Sequence, residues 1–169
     1  MQKRKEVFKG KLLNLYKVKH KFPNGYIGDL EVVMHPGAVL IVPLLGKDRI
    51  VMIKQYRPVI NSYIWELPAG TLGMRESPIK CAKRELIEEV GYKAKMWKRL
   101  GSIYTAPGYT NERIIIFEAR RMMKEKTMQQ EDEIIKKHIF TKKEVSRLFK
   151  NGKIVDAKTV CALKLARIL

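Results

Sequence analysis

Apolar residues alternate with polar ones or fill whole short segments along most of this chain, and only three stretches change to helical spacing. Between residues 6 and 33, VFKGKLLNLYKVKHKF alternates loosely, Asn24-Gly25 supplies a turn signal and YIGDLEVVM returns, which predicts an antiparallel hairpin. His35-Pro36-Gly37 breaks the pattern. AVLIVPLL is then apolar enough for burial on both faces, and after Gly46-Lys47-Asp48 the run RIVMIKQYR sets Ile50, Met52 and Lys54 opposite Val51, Ile53 and Gln55. SYIWELP, KMWKRLGSIYTA, ERIIIFEARRM and EIIKKHIF read as further strands, with the turn-rich PGYTN between the second and third, and residues 129–133 as a polar loop.

The longest helical stretch is 77–90. Ile79, Ala82, Leu86 and Val90 fall in one arc, Ser77 stands where an N-cap belongs with Pro78 at the first helical position, and Gly91 is placed for a left-handed C-cap. Thr141 and Glu144 form a capping box for a second helix to about residue 150, and Asp156 caps a third. The prediction is an α+β fold: a mixed sheet with helices on its faces, in the manner of an α/β/α sandwich, preceded by antiparallel strands. Residues 1–37 would form the N-terminal strands and 38–169 the main unit.

Composition narrows this little. The 169 residues suit one ordinary domain, 46% are hydrophobic, and no apolar run reaches the length of a membrane span. The N-terminus is basic without an apolar core, so no signal peptide is expected, and a cytoplasmic location is the default. Cys81 and Cys161 suggest neither a disulfide framework nor a metal knuckle. Charge is the unusual property. Thirty-five Lys and Arg against 17 Asp and Glu give +18, which favours polyanions and speeds capture of anionic substrates. The basic residues are spread along the whole chain without an aromatic RNA-binding signature, so a solvated lysine-rich surface is the simpler reading and nucleic acid the less favoured partner.

Candidate chemistry concentrates on the first helix. Glu85, Glu88 and Glu89 share the arc beside its apolar one, where like charges repel by about 0.2–0.5 kcal/mol per pair. Either the face is simply solvated, with Arg84 paired to Glu88, or a hard cation such as Mg²⁺ or Mn²⁺ neutralises it. The wider pattern favours the cation. Gly70, Glu76, Arg84, Glu85, Leu86, Glu88, Glu89, Gly91 and Tyr92 occupy the fixed positions of G-x5-E-x7-R-E-U-x-E-E-x-G-U, where U is bulky and apolar. This stretch resembles the Nudix box. The resemblance implies a hydrolase that splits a nucleoside diphosphate linked to another moiety.

HPGAVLIVPL, IKQYRP, WELPAG, YTAPGYTNE and IVDAKTVCAL extend the likeness from about Phe8 onward and are similar to the ADP-ribose pyrophosphatase branch, including Pro107, 15 residues past Tyr92. That resemblance implies Glu85 and Glu89 as metal ligands, Glu88 in support and the Ala69 carbonyl as a further ligand. It implies Arg84 as the residue that orients the glutamates, and Gly70 and Gly91 as conformational. It places the base that handles the attacking water at Glu131 and a second metal ligand at Glu133. Arg57 would meet a phosphate, while Pro107 and Glu112 would line the substrate pocket. It also implies a homodimer in which the N-terminal strands help to recognise adenine, although Met34 stands where a basic residue is common. Trp65 and Trp97 read as core. The implied reaction is Mg²⁺-dependent hydrolysis of ADP-ribose to AMP and ribose 5-phosphate. Another nucleoside diphosphate sugar, a dinucleotide or an RNA 5′ end is the alternative substrate, and a non-catalytic nucleotide or nucleic-acid-binding module the alternative class.

Overall fold

In a computed structural model, which describes residues 4–10, 13–126 and 134–169, the apolar run that suggested burial on both faces is the centre of the sheet. This strand, β4 (Ala38–Leu45), is buried at every position but its last. It pairs parallel with β9 (Arg113–Lys124), antiparallel with the short β7 (Ala69–Thr71), and near its end with β5 (Arg49–Arg57). β5 continues away from it between β6 (Ser62–Glu66) and β10 (Ile135–Thr141), and β8 (Tyr92–Tyr104) closes the other side against β9. The result is a seven-stranded mixed sheet.

The period-two reading of β5 explains how the layers assemble. Ile50 and Met52 join Leu40, Val42, Val145 and Leu163 in one core, whereas Val51 and Ile53 join Val39, Ile41, Ala82, Leu86 and Val90 in another. The first core is covered by α2 (Lys142–Lys150) and α3 (Ala157–Leu165), the second by α1 (Pro78–Val90). Alternation in one strand thus places helices on both faces, and the predicted sandwich is the observed one.

The helix ends follow their expected chemistry with one exception. Thr141 and Glu144 make a reciprocal capping box, and the Asp156 carboxylate accepts from the Thr159 amide at 3.0 Å. Gly91 terminates α1 with φ of 68°, a conformation that costs a residue with a Cβ. Ser77 has the extended backbone of an N-cap, but its hydroxyl caps nothing; its carbonyl accepts from the Lys80 and Cys81 amides instead.

The N-terminal strands form a separate sheet with one more strand than the single hairpin expected. Gly10 interrupts the first run, and its amide donates to the Leu13 carbonyl at 2.8 Å, so β1 (Arg4–Lys9) turns back onto β2 (Asn14–Lys21) before β2 pairs with β3 (Ile27–Met34). This sheet buries little, with Val18 its one residue in the core. It is tied to the rest of the chain through the segment between β8 and β9: the Val33 amide donates to the Tyr109 carbonyl at 2.8 Å, and the His35 amide to Asn111 Oδ1 at 2.8 Å.

Candidate active site

Helix α1 lies over β4 and β7 with its apolar arc inward, so the adjacent arc of carboxylates comes down beside the strand that precedes the helix. Glu85 and Glu89 are 8% and 2% exposed, and both line a cleft of about 600 Å³ together with Ala69 and Gly70. The Ala69 amide donates to Glu89 Oε2 at 3.1 Å. Gly70 matters through its missing side chain. A Cβ there would lie 1.9 Å from Glu85 Oε1, and Gly70 is not among the residues with positive φ. The expectation that Gly70 serves backbone conformation is therefore replaced by a steric reason: it leaves room for a carboxylate. Gly70→Ala is expected to keep the melting profile within a few degrees while displacing Glu85 and abolishing most turnover, which parallel circular dichroism and activity assays would check.

Arg84 acts as the hub of the acidic cluster. Its guanidinium donates to both oxygens of Glu76 at 3.1 Å, to Glu85 Oε1 at 2.6 Å and to Glu88 Oε2 at 2.9 Å. One cation thus holds three carboxylates, and these charge-assisted bonds fix where each points. The Arg84 bonds, followed by the Gly73 amide, lower the Glu76 pKa from 4.5 to about 2. Because the folded-state value is the lower one, this contribution to stability is present above pH 4.5 and disappears as pH falls towards about 2. Thermal melts across that window should show a loss that Glu76→Gln flattens. Cys81 lies beneath the cluster, its thiol pushed up to about 12 by burial first and then by Glu76 and Glu85, so it remains protonated.

The opposite wall was not foreseen in full. Glu66, at the end of β6, is wholly buried and takes Arg57 Nε and Nη2 at 2.6 and 2.7 Å, together with Lys158 Nζ at 2.5 Å. Lys158 also reaches Asp156 at 2.8 Å. Burial pushes the Glu66 carboxyl up, but the hydrogen bonds and charges of Arg57 and Lys158 outweigh it and leave its pKa below the ordinary value. Arg57, Lys158 and Gln55 all line the cleft. Glu66 and Lys158 are 92 residues apart in sequence, so only the fold reveals their pairing. The one local hint was a carboxylate flanked by apolar residues, in WELP.

Glu112 completes the rim. It accepts from the Thr105 hydroxyl at 2.8 Å and lies 3.6 Å from His35 Nδ1. Pro107 belongs to the same segment but faces a second groove, of about 310 Å³, formed with Leu30 and Val32 of β3 and with Tyr109. Glu88 likewise lies outside the lining of the main cleft and is turned towards Arg84. Glu131 and Glu133 lie outside the described residues.

Glu85, Glu89 and the Ala69 backbone form a donor set suited to a hard divalent cation. Their atoms are oxygens, the two carboxylates are nearly buried, and Arg84 neutralises only part of the local charge. Among the described residues, no three His, Cys, Asp or Glu side chains are arranged to cage a metal alone. Two carboxylates suffice for Mg²⁺, which commonly takes one or two and completes its shell with water and substrate phosphates.

The cleft thus opposes an acidic wall on α1 to Arg57 and Lys158, in a volume that suits a nucleotide-sized ligand. Comparison with known proteins agrees with that geometry. Residues 34–163 match the family described as the NUDIX domain. The chain belongs to the Nudix family. This Nudix chain is 35% identical over 163 residues to an ADP-ribose pyrophosphatase of Bacillus subtilis, a match covering 95% of this chain and 88% of that protein. It is also 35% identical over 164 residues to a methanol dehydrogenase activator of Bacillus methanolicus, covering 96% and 89%. A crystal structure described as an ADP compounds hydrolase superposes with a TM-score of 0.86 at 27% identity, over 98% of this chain and 90% of that one. The Nudix chain is accordingly a pyrophosphohydrolase by family.

Proposed function

We propose that this Nudix hydrolase splits the pyrophosphate of ADP-ribose, giving AMP and ribose 5-phosphate, with Mg²⁺, or Mn²⁺ in its place, bound by Glu85, Glu89 and the Ala69 carbonyl. The observation that carries the reading is the opposition, across one cleft, of two nearly buried carboxylates and the Arg57–Glu66–Lys158 group. When bound, the metal would neutralise phosphate oxygens and acidify a water. The remaining work falls to the chain's own residues. Arg57 and Lys158, presented by a buried carboxylate that prevents either from swinging away, hold non-bridging phosphate oxygens. Arg84 fixes the orientation of Glu85 and supports Glu88. Glu112 accepts a hydrogen bond from the substrate at the rim, and Pro107 shapes the neighbouring groove beside the N-terminal strands. Glu131 takes the proton of the attacking water, and Glu133 contributes to a second metal site.

The name of the Bacillus subtilis relative, aligned along nearly the whole chain, supports ADP-ribose as substrate. The description of the structural neighbour supports the broader class of ADP-containing compounds as a second reading. The protein would be a homodimer, with the scantly buried N-terminal sheet exchanging contacts with its partner, and would work in the cytoplasm. Sedimentation equilibrium checks the first of these. Among the described residues no helix is long and apolar enough to cross a membrane.

The deciding experiment ranks kcat/KM with Mg²⁺ over ADP-ribose, ADP-glucose, GDP-mannose, NADH, diadenosine polyphosphate, dNTPs and 5′-triphosphate RNA. Preference for ADP-ribose is expected. Turnover of RNA alone would overturn the substrate, and absence of turnover on every compound would overturn the hydrolase.

A further inference from the structure

Helix α2 turns Val145 and Leu148 into the core, and this leaves its other side carrying Lys142, Lys143, Arg147 and Lys150. Those four residues, with Ser146, Asn151 and Ile168, line a groove of about 500 Å³ that shares no residue with the catalytic cleft. No carboxylate lines it. Glu144, the helix's sole acidic residue, is turned back onto the Thr141 amide and hydroxyl at 2.7 and 2.8 Å. Among the described residues, none of the four cations takes part in a salt bridge.

Part of this charge is uncompensated within the helix. Lys143 and Arg147 repel at i,i+4 and Arg147 and Lys150 at i,i+3, and Lys142 and Lys143 sit in the first turn, where the helix dipole disfavours cations, whereas Glu144 attracts Arg147 and the last turn favours Arg147 and Lys150. A ligand with several negative charges would relieve the remaining repulsions. At about 1.5 Å per residue, the cationic stripe is about 12 Å long, more than one phosphate occupies and enough for several in succession. A concave groove of this size admits one strand of a phosphate backbone, and a duplex would rest only on its rim. Its lining contains no aromatic ring on which bases could stack, so affinity there would rest on contacts to the phosphates.

We propose that the α2 groove binds the phosphate backbone of single-stranded nucleic acid, without sequence preference and apart from the hydrolytic site. Binding is measured by fluorescence polarisation of a short labelled oligouridine at several salt concentrations. One quadruple variant carries Lys142→Gln, Lys143→Gln, Arg147→Gln and Lys150→Gln. A second removes the same charge from exposed positions elsewhere, with Lys19→Gln, Lys21→Gln, Lys95→Gln and Lys98→Gln. Thermal melts establish that both are folded.

The groove variant should bind more than about tenfold more weakly and show a salt slope shallower by about 2 to 3, at about 0.7 for each phosphate that is no longer neutralised. The second variant should stay within about twofold of the parent protein. Equal weakening in both would overturn the proposal, because diffuse charge would then explain the binding. Absence of binding by the parent protein would also overturn it, as would a groove variant that loses affinity only for anionic phospholipid vesicles.

Discussion

Substituting Glu89 with Gln is expected to lower kcat on ADP-ribose by about 10²- to 10³-fold, the scale of losing one oriented electrostatic group in an active site. The change is nearly isosteric, and the amide oxygen can still accept from the Ala69 N–H that Glu89 now engages at 3.1 Å, so folding should be preserved. What disappears is a negative charge, 2% exposed, on the cleft wall, which leaves Glu85 as the one helix carboxylate lining the cleft. Calorimetric titration of Mn²⁺ into the same variant should show weaker binding in the absence of any substrate, which separates loss of a metal ligand from loss of an interaction with substrate. Turnover within a few fold of the parent protein would remove Glu89 from the metal set.

The second large effect concerns stability. Glu66→Gln should cost about 3 kcal/mol, the lower end for removing one member of a buried ion group, and lower the Tm by roughly 6–12 °C at about 2–4 °C per kcal/mol for a chain of this size. Glu66 is wholly buried and carries two cations. Neutralising it leaves Lys158 with Asp156 alone and lets Arg57, the more exposed of the pair, turn to solvent. KM should therefore rise along with the loss of stability. A double variant, Glu66→Gln with Lys158→Met, should recover part of the Tm, because the uncompensated cation is gone, but not the KM. A single variant as stable as the parent would mean that the buried group contributes nothing net.

What was legible in the sequence depended on how local its cause was. β4 and β5 declared themselves because their period and their apolar content are properties of consecutive residues. The acidic helix did so because its arc, its proline and its C-terminal glycine lie within fifteen residues of one another in the chain. The Thr141–Glu144 capping box is local in the same sense. Gly10 was a weaker signal, since a lone glycine within a loosely alternating run does not say whether the chain bends or reverses, and there it reverses. Glu66 and Lys158 could not be paired from sequence, because a buried charge is identified by a partner that only the packing of α3 against the sheet supplies. Gly70 was misjudged for a related reason: its role depends on a side chain fifteen positions away, and only atomic distances reveal a glycine kept for space rather than for dihedral freedom.

The parallel pairing of β4 with β9 bears on how the enzyme comes into being. Ala38 is registered against Ile114 and Val39 against Ile115, so the two strands cannot meet until most of the intervening chain, α1 included, has been made and brought together. Local contacts, by contrast, are available to α1 from the start, and closures across long sequence separations are the slow ones. Helical signal should thus return early in refolding. Catalytic competence would have to wait for that strand pair, which brings Ile114 and the nearby Glu112 to the cleft lining, so a newly synthesised chain passes through an interval in which its defining motif is shaped but inert.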